Sequence, residues 1–257
     1  MKIEVLFPEV ANLYGDLSNI EYLKKCLDNN VEIIETSLSD EPAFFTQKDI
    51  NLVYMAGMTE KSQEIVIKKL KPHADLIEEK IKNGQLFFLT GNAMEILGKF
   101  IENEDNSQIR AVGIYHFYAH REMMDRYSGC YLGKHNDIEI VGFKAQFTTS
   151  YGNNDDTYFA KTELGMGINI GTKCEGLHRN NLFATSILGP ILILNPLFTK
   201  ELLKLMGVEN PKLAFEEEVM AAYNERLKKL QKMAEKQQKE EKKEEKKSRK
   251  VRIERNF

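Results

Sequence analysis

The sequence predicts an α/β fold, a mainly parallel sheet flanked by helices. Three observations carry this. Short apolar runs alternate with amphipathic helical stretches through the first part of the chain, the spacing of βαβ units. The runs are separated by Gly, Asn and Asp turns. A composition of 42% hydrophobic and 29% charged residues over 257 positions supplies a core for one generous domain and excludes disordered, collagenous and disulfide-framework classes.

The elements follow in order. Lys2 to Phe7 reads as a first strand, and the loop Asn12 to Asn19 follows it. Ser18 or Asn19 can cap a helix over Ile20 to Asn29 with Ile20, Leu23 and Leu27 on one face. Val31 to Ser37 and Ile50 to Met55 are the next strands, the latter ending at Ala56-Gly57 before a helical stretch with Ile65, Ile67 and Leu70 apolar. A helix from about Pro72 to Lys82 stops at Asn83-Gly84, a helix-ending pair. Gln85 to Leu89 is a strand, turning at Thr90-Gly91-Asn92 into a helix over Ala93 to Phe100. From Ala111 to Leu194 the pattern becomes short β-type runs, at Ile138 to Phe143, Met166 to Ile170 and Leu182 to Ser186, and a helix then follows Pro196 and ends near Gly207. Phe215, Val219, Ala222, Leu227, Leu230 and Ala234 mark an amphipathic helix over Leu213 to Ala234. The expected organisation is a body over 1–208, this helix over 209–235, and a charged tail over 236–257 read as a solvated fraying helix or a disordered segment.

The net charge of −3 hides an asymmetry, because Glu225 to Phe257 holds 14 Lys/Arg against 7 Asp/Glu while the rest holds 22 against 32. A nucleic-acid surface is therefore not expected on the acidic body, and any contact with an acidic partner is expected in the basic tail. No window is long and apolar enough for a membrane span, and the start reads as no signal segment, so the expected location is cytoplasmic. Cys26, Cys130 and Cys174 are too few and too scattered for a zinc knuckle and read as free thiols. Neither a metal nor a cofactor is expected. His116 and His120 would make a metal pair only on a helix, and their stretch, which continues to Arg121, looks extended; Asn153 to Asp156 reads as a solvated loop.

Several segments together resemble the class I glutamine amidotransferases of the cobyric acid synthase type, and within them the glutaminase subunits of isoglutaminyl synthases acting on lipid II. Leu13-Tyr-Gly-Asp-Leu-Ser-Asn19 resembles the family's YGDxxN, and Met55-Ala-Gly-Met-Thr-Glu-Lys-Ser-Gln63 resembles its glycine-rich oxyanion strand-turn ending in Gln. Leu89-Thr-Gly-Asn-Ala-Met-Glu-Ile-Leu-Gly98 resembles the nucleophile elbow, usually CGGYQLLG. Asp125 to Gly129, Gly142-Phe143, Glu175-Gly176, Gly189-Pro190 and Asn195-Pro196 follow in the family's order, so that the resemblance runs from about Lys2 to Gly207. It implies a flavodoxin-like fold.

The departures fall on the chemistry. The family's Cys thiolate attacks the glutamine side-chain amide and a His serves as base. Counting back from Gly98 puts Gly91 in the Cys position, and counting back from Gly189-Pro190 puts Leu188 in the His position. Neither side chain can replace the lost group. A one-residue slip would move Thr90 into the nucleophile slot, a poor nucleophile without an adjacent base. The oxyanion turn has become Ala56-Gly57-Met58, with Met58 expected to fill the pocket. By resemblance Ala56, Gly57, Met58, Asn92, Arg126, Asp16 and Asn19 are the candidate ligand-binding residues, Arg126 suiting a carboxylate. The implied role is a noncatalytic subunit that docks on a Mur-ligase-like ATP-dependent synthetase in cell-wall amidation. The rivals are an amidohydrolase with a relocated nucleophile, Cys174 with His178, and a noncatalytic small-molecule sensor.

Overall fold

The computed structural model describes residues 1–254, with side-chain environments through residue 240. The first part of the chain runs β1 (Lys2–Leu6), α1 (Ser18–Cys26), β2 (Glu32–Thr36), β3 (Leu52–Met55), α2 (Glu60–Leu70), α3 (Ala74–Lys82) and β4 (Phe87–Thr90). A β-rich stretch follows with β5 (Phe100–Glu102), β6 (Gln108–Arg110), β7 (Tyr118–Arg121), β8 (Tyr127–His135), β9 (Ile138–Gln146), β10 (Thr148–Tyr151), β11 (Ala160–Leu164), β12 (Cys174–Glu175), β13 (Leu177–Arg179) and β14 (Leu182–Thr185). Three helices close the chain: α4 (Ile191–Leu194), α5 (Pro196–Leu205) and α6 (Glu216–Glu254).

The principal sheet has six strands in the order β13-β14-β4-β3-β1-β2. All its pairings are parallel except that of the edge strand β13 with β14. Every residue of β3, β4 and β14 is buried, as a parallel sheet covered on both faces requires, and this is why those strands read as unbroken apolar runs. Alternation sorts their side chains into two cores. Val53, Met55, Phe87 and Leu89 pack with α2 and α3 residues such as Val66, Ile67 and Ile77, while Leu52, Tyr54, Leu86 and Phe88 pack with Ile20 and Leu23 of α1 and Phe198 and Leu202 of α5.

The β-rich stretch forms two four-stranded sheets, β10-β7-β5-β6 and β12-β11-β8-β9. α6 lays Val219, Tyr223, Leu230 and Ala234 inward with the partly buried Leu227, a stripe in steps of three and four residues, and Tyr223, Leu230 and Ala234 cluster with Leu132, Val141 and Leu164 of the second small sheet. The Tyr223 hydroxyl donates to the Glu139 carbonyl at 2.8 Å. Phe215 is instead exposed, with φ +55, and Ala222 is exposed beside Tyr223. The part of the charged tail beyond residue 240 lies outside the residues whose side chains are described; its backbone continues α6 to Glu254.

Several expected elements differ. The elbow is followed not by an α-helix over Ala93 to Phe100 but by a 3-10 segment, Gly91–Leu97, and then by β5. The chain is diverted there because Lys99 donates its N–H to the Phe117 carbonyl at 2.8 Å, starting a strand instead of another helical turn. Met166 to Ile170 forms no strand, since the Lys144 ammonium claims the Met166 and Gly167 carbonyls. Ile65 points to solvent while Val66 takes the inner face of α2. Neither Ser18 nor Asn19 caps α1 through its side chain. The Asn83-Gly84 stop is present, with Gly84 at φ +85 and the Gln85 N–H reaching back to the Lys80 carbonyl.

Candidate functional site

The chain leaves β1 toward β2 on one side and returns through β3 on the other, so the loops at the carboxyl ends of β1 and β3 flank the switch point where open α/β sheets bind ligands. The Leu13 N–H donates to the Gly57 carbonyl at 2.9 Å and ties the two loops together. With the ends of β4 and β14 they border a cavity of about 50 Å³, lined among others by Tyr14, Gly57, Gly91, Asn92, Glu95 and Leu188.

Gly91 takes φ +62, a left-handed conformation that suits glycine. A Cβ built on it would lie 3.0 Å from the Gly57 Cα and 4.0 Å from Leu188 Cδ2. Leu188 is held there by its N–H donating to the Phe143 carbonyl at 2.7 Å. Positions 91 and 188 thus face each other across the cavity. The next residue closes the turn opposite: Asn92 accepts the Met58 N–H at 2.9 Å and donates to the Met58 carbonyl at 2.8 Å. An oxyanion would need free backbone N–H donors, and the Met58 donor is already occupied. The Met58 side chain does not fill the cavity; fully buried, it joins the core beneath α2, and Ala56 faces the opposite core.

Asp16 and Asn19 lie below the elbow rather than in the cavity. Asn19 donates to the Asp16 carbonyl (2.9 Å) and carboxylate (3.3 Å) and to the Tyr54 hydroxyl (3.1 Å), and accepts the Leu192 N–H at 3.0 Å. The Tyr54 hydroxyl is 3.0 Å from that of Thr90. Burial pushes the Asp16 carboxyl above its usual range, with hydrogen bonds from Thr90 and Asn19 opposing. Thr90 belongs to this network and is fully buried, so it is no exposed hydroxyl at the turn. Arg126 is exposed at the mouth, donating to the Tyr14 hydroxyl at 3.0 Å, its guanidinium 5.9 Å and 5.5 Å from the Tyr14 and Phe147 ring centres.

Two charged groups underlie the cavity. Glu95 is 6% exposed, and burial raises its pKa to about 7, against the hydrogen bond from Gln63 and the charge of Arg121. Gln63 bridges the wall, donating at 2.8 Å to both Glu95 Oε2 and the Asn92 carbonyl and accepting from Arg121 at 2.8 Å. On the far side Glu175 accepts from the Thr185 hydroxyl (2.8 Å) and from the Ser186 N–H and hydroxyl (3.0 and 2.9 Å), fixing the segment that carries Leu188. Lys144, wholly buried 3.7 Å from Glu175, has its ammonium pKa pushed down by burial, with that carboxylate opposing.

Residues 2–193 match the family model described as the CobB/CobQ-like glutamine amidotransferase domain. The chain belongs to that family. It is 26% identical over 207 residues to lipid II isoglutaminyl synthase (glutamine-hydrolyzing) subunit GatD of Staphylococcus aureus, covering 80% of this chain and 83% of that one. The GatD subunit of Streptococcus pneumoniae is 23% identical over 227 residues, covering 84% of this chain and 86% of that one. Among solved structures, a glutamine amidotransferase aligns with TM-score 0.53 at 14% identity, covering 80% of this chain and 99% of that one. The glutaminase domain of Trypanosoma brucei CTPS aligns with TM-score 0.52 at 9% identity, covering 83% and 96%. These likenesses establish the class I glutamine amidotransferase fold.

Within this CobB/CobQ-like domain the thiol and imidazole of Cys174 and His178 lie elsewhere. Cys174 is buried, 3.4 Å from Asp155 and 3.6 Å from the Lys161 ammonium, and His178 stacks on Phe183 at 4.4 Å. Neither lines the cavity at Gly91. His120 pairs with Glu102 at 3.1 Å, and no group of three or more His, Cys, Asp or Glu among the described residues is placed to hold a metal. No helix among them is long and apolar enough to cross a membrane. Sequence reasoning passed over Glu95, Gln146 and Ser186 as site residues. The signal for Glu95 lay in the elbow, where Glu stands at the Gln of CGGYQLLG.

Proposed function

We propose that this chain is a glutamine amidotransferase fold without glutaminase chemistry, serving as a partner-binding or regulatory subunit of an ATP-dependent, Mur-ligase-like synthetase in cell-wall amidation. The observation that carries the reading is the pair of facing positions, Gly91 and Leu188, which offer neither nucleophile nor base. The Asn92 clamp on the Met58 N–H supports it, because a second element of acyl-transfer catalysis is committed internally. The two relatives, each named as a subunit of a synthase, support a partner subunit.

The test is ammonia release from glutamine by the purified chain, alone and with the co-purified synthetase, beside a Gly91→Cys/Leu188→His variant. The expected outcome is no release from the natural chain in either setting, with a stable complex formed. Sustained turnover by the natural chain overturns the reading.

A further inference from the structure

Away from the elbow, β11 and β12 bring an amine and a thiol together. The strands pair antiparallel with Lys161 directly opposite Cys174, an arrangement that puts both side chains on one face. The Lys161 ammonium is 3.6 Å from the Cys174 sulfur, and the thiol donates to the Asp155 carboxylate at 3.4 Å. The backbone fixes the sulfur there, since the Cys174 N–H donates to the Thr172 hydroxyl at 3.0 Å and its carbonyl accepts the Ile168 N–H at 2.8 Å. Cys174 is 1% exposed, while Asp155 and Lys161 line a cavity of about 480 Å³ beside it. Among the described residues, neither Cys26 nor Cys130 is hydrogen-bonded to a lysine.

We infer that Cys174 and Lys161 are an oxidative modification site, joined by a sulfur–nitrogen bond when hydrogen peroxide reaches the thiol. Asp155 accepts the thiol proton and the ammonium stabilises the thiolate, the nucleophilic form of cysteine. The thiolate attacks one peroxide oxygen. An S–O bond forms, the O–O bond breaks, and the leaving hydroxide takes a proton from the Lys161 ammonium to become water. A sulfenic acid and a neutral amine then stand side by side. The amine nitrogen attacks the sulfenic sulfur; the S–N bond forms, the S–O bond breaks, and the departing hydroxide takes a proton from nitrogen to leave as the second water. In sum, a thiol, an ammonium and one peroxide give a sulfenamide, two waters and the proton held by Asp155. The sulfur loses one electron pair and the peroxide gains it.

Burial selects this fate over the usual ones. A sulfenic acid ordinarily condenses with a second thiol or is oxidised further. A sulfur that is 1% exposed keeps out a bulky thiol, whereas peroxide is small and the Lys161 nitrogen is already 3.6 Å away. The bond would staple β11 to β12 next to Glu175, whose carboxylate holds Thr185 and Ser186. Oxidation at Cys174 is thereby linked to the segment that carries Leu188.

The test exposes the folded full chain to hydrogen peroxide, quenches with catalase, caps remaining thiols with iodoacetamide, and maps tryptic peptides by mass. Trypsin cuts the untreated chain after Lys144, Lys161, Lys173 and Arg179, so segments 145–161, 162–173 and 174–179 separate. The expected product is 145–173, uncut at Lys161, joined to 174–179 and lighter by two hydrogens than those two parts. Dithiothreitol should release both parts, and Cys26 and Cys130 should join no lysine. Lys161→Arg keeps the charge on an exposed side chain but removes the amine. In that variant the linked product should be lost and dimedone should label Cys174 as the sulfenic acid. An unlinked Cys174 in the natural chain, whether unchanged, labelled by dimedone or carried to the sulfinic acid, overturns the inference. So does a linked product that persists in Lys161→Arg or that carries an added oxygen. Should circular dichroism show Lys161→Arg unfolded, the peptide map of the natural chain decides alone.

Discussion

Replacing Gly91 with Ala tests the geometry of the elbow directly. The methyl group meets two penalties. The backbone at φ +62 is left-handed, which costs a residue with a Cβ about 1–2 kcal/mol. The Cβ would also sit 3.0 Å from the Gly57 Cα, a few tenths of an ångström inside ordinary contact, and overpacking of that kind adds about 1 kcal/mol. The sum is about 2–3 kcal/mol. With a urea dependence of about 3 kcal/mol per M for a chain of this size, the unfolding midpoint should fall by roughly 1 M. Gly113 provides the control, because it has φ +86 and no atom within 4 Å of an added Cβ. Gly113→Ala therefore carries only the backbone penalty and should move the midpoint roughly half as far. Equal shifts in the two variants would refute the argument that Gly57 crowds position 91.

Three further outcomes are expected. Asn92→Ala leaves the buried Met58 N–H and carbonyl unpaired and should lower stability by about 1–3 kcal/mol in urea titrations. Glu95 ionises near 7 in the folded chain but at the ordinary value of 4.5 when unfolded, so the native state holds the extra proton between those values. Stability should fall as pH rises through that window and then level, by on the order of 3 kcal/mol in all, and Glu95→Gln should flatten the slope in melts taken across it. Tyr223→Ala empties an aromatic site under α6 and removes the hydroxyl bond to Glu139; a loss of about 3–5 kcal/mol, read by denaturation with helix content followed by circular dichroism, is expected.

The parallel sheet was legible because β3, β4 and β14 are buried on both faces, and such strands appear in sequence as apolar runs bounded by turns. The elbow was legible by register with a family motif, and the same register is what sets positions 91 and 188 as the places where nucleophile and base would stand. What stayed hidden was long-range. Gln63 and Arg121 meet across 58 positions, and no local pattern announces that pairing. The 3-10 segment after Gly91 escaped for the same reason, since a bond from Lys99 to Phe117 ends it. Asn19 and Asp16 had the residue types of a helix cap, yet tertiary contacts to Tyr54 and Leu192 claimed them. Within α6, spacing located the buried stripe but put Ala222 in it, whereas its neighbour Tyr223 takes the inner place with its hydroxyl on the carbonyl of Glu139.

The Asn92 clamp bears on how such a chain can change over time. A thiol introduced at position 91 would meet a crowded Gly57, the aliphatic Leu188 opposite, and a donor already taken by Asn92. Each single replacement carries its structural cost before any turnover can reward it, and relief requires positions 91, 92 and 188 to change together. Under the proposed reading the site behaves as a ratchet: drift away from hydrolysis proceeds one codon at a time, while the way back is closed to single steps.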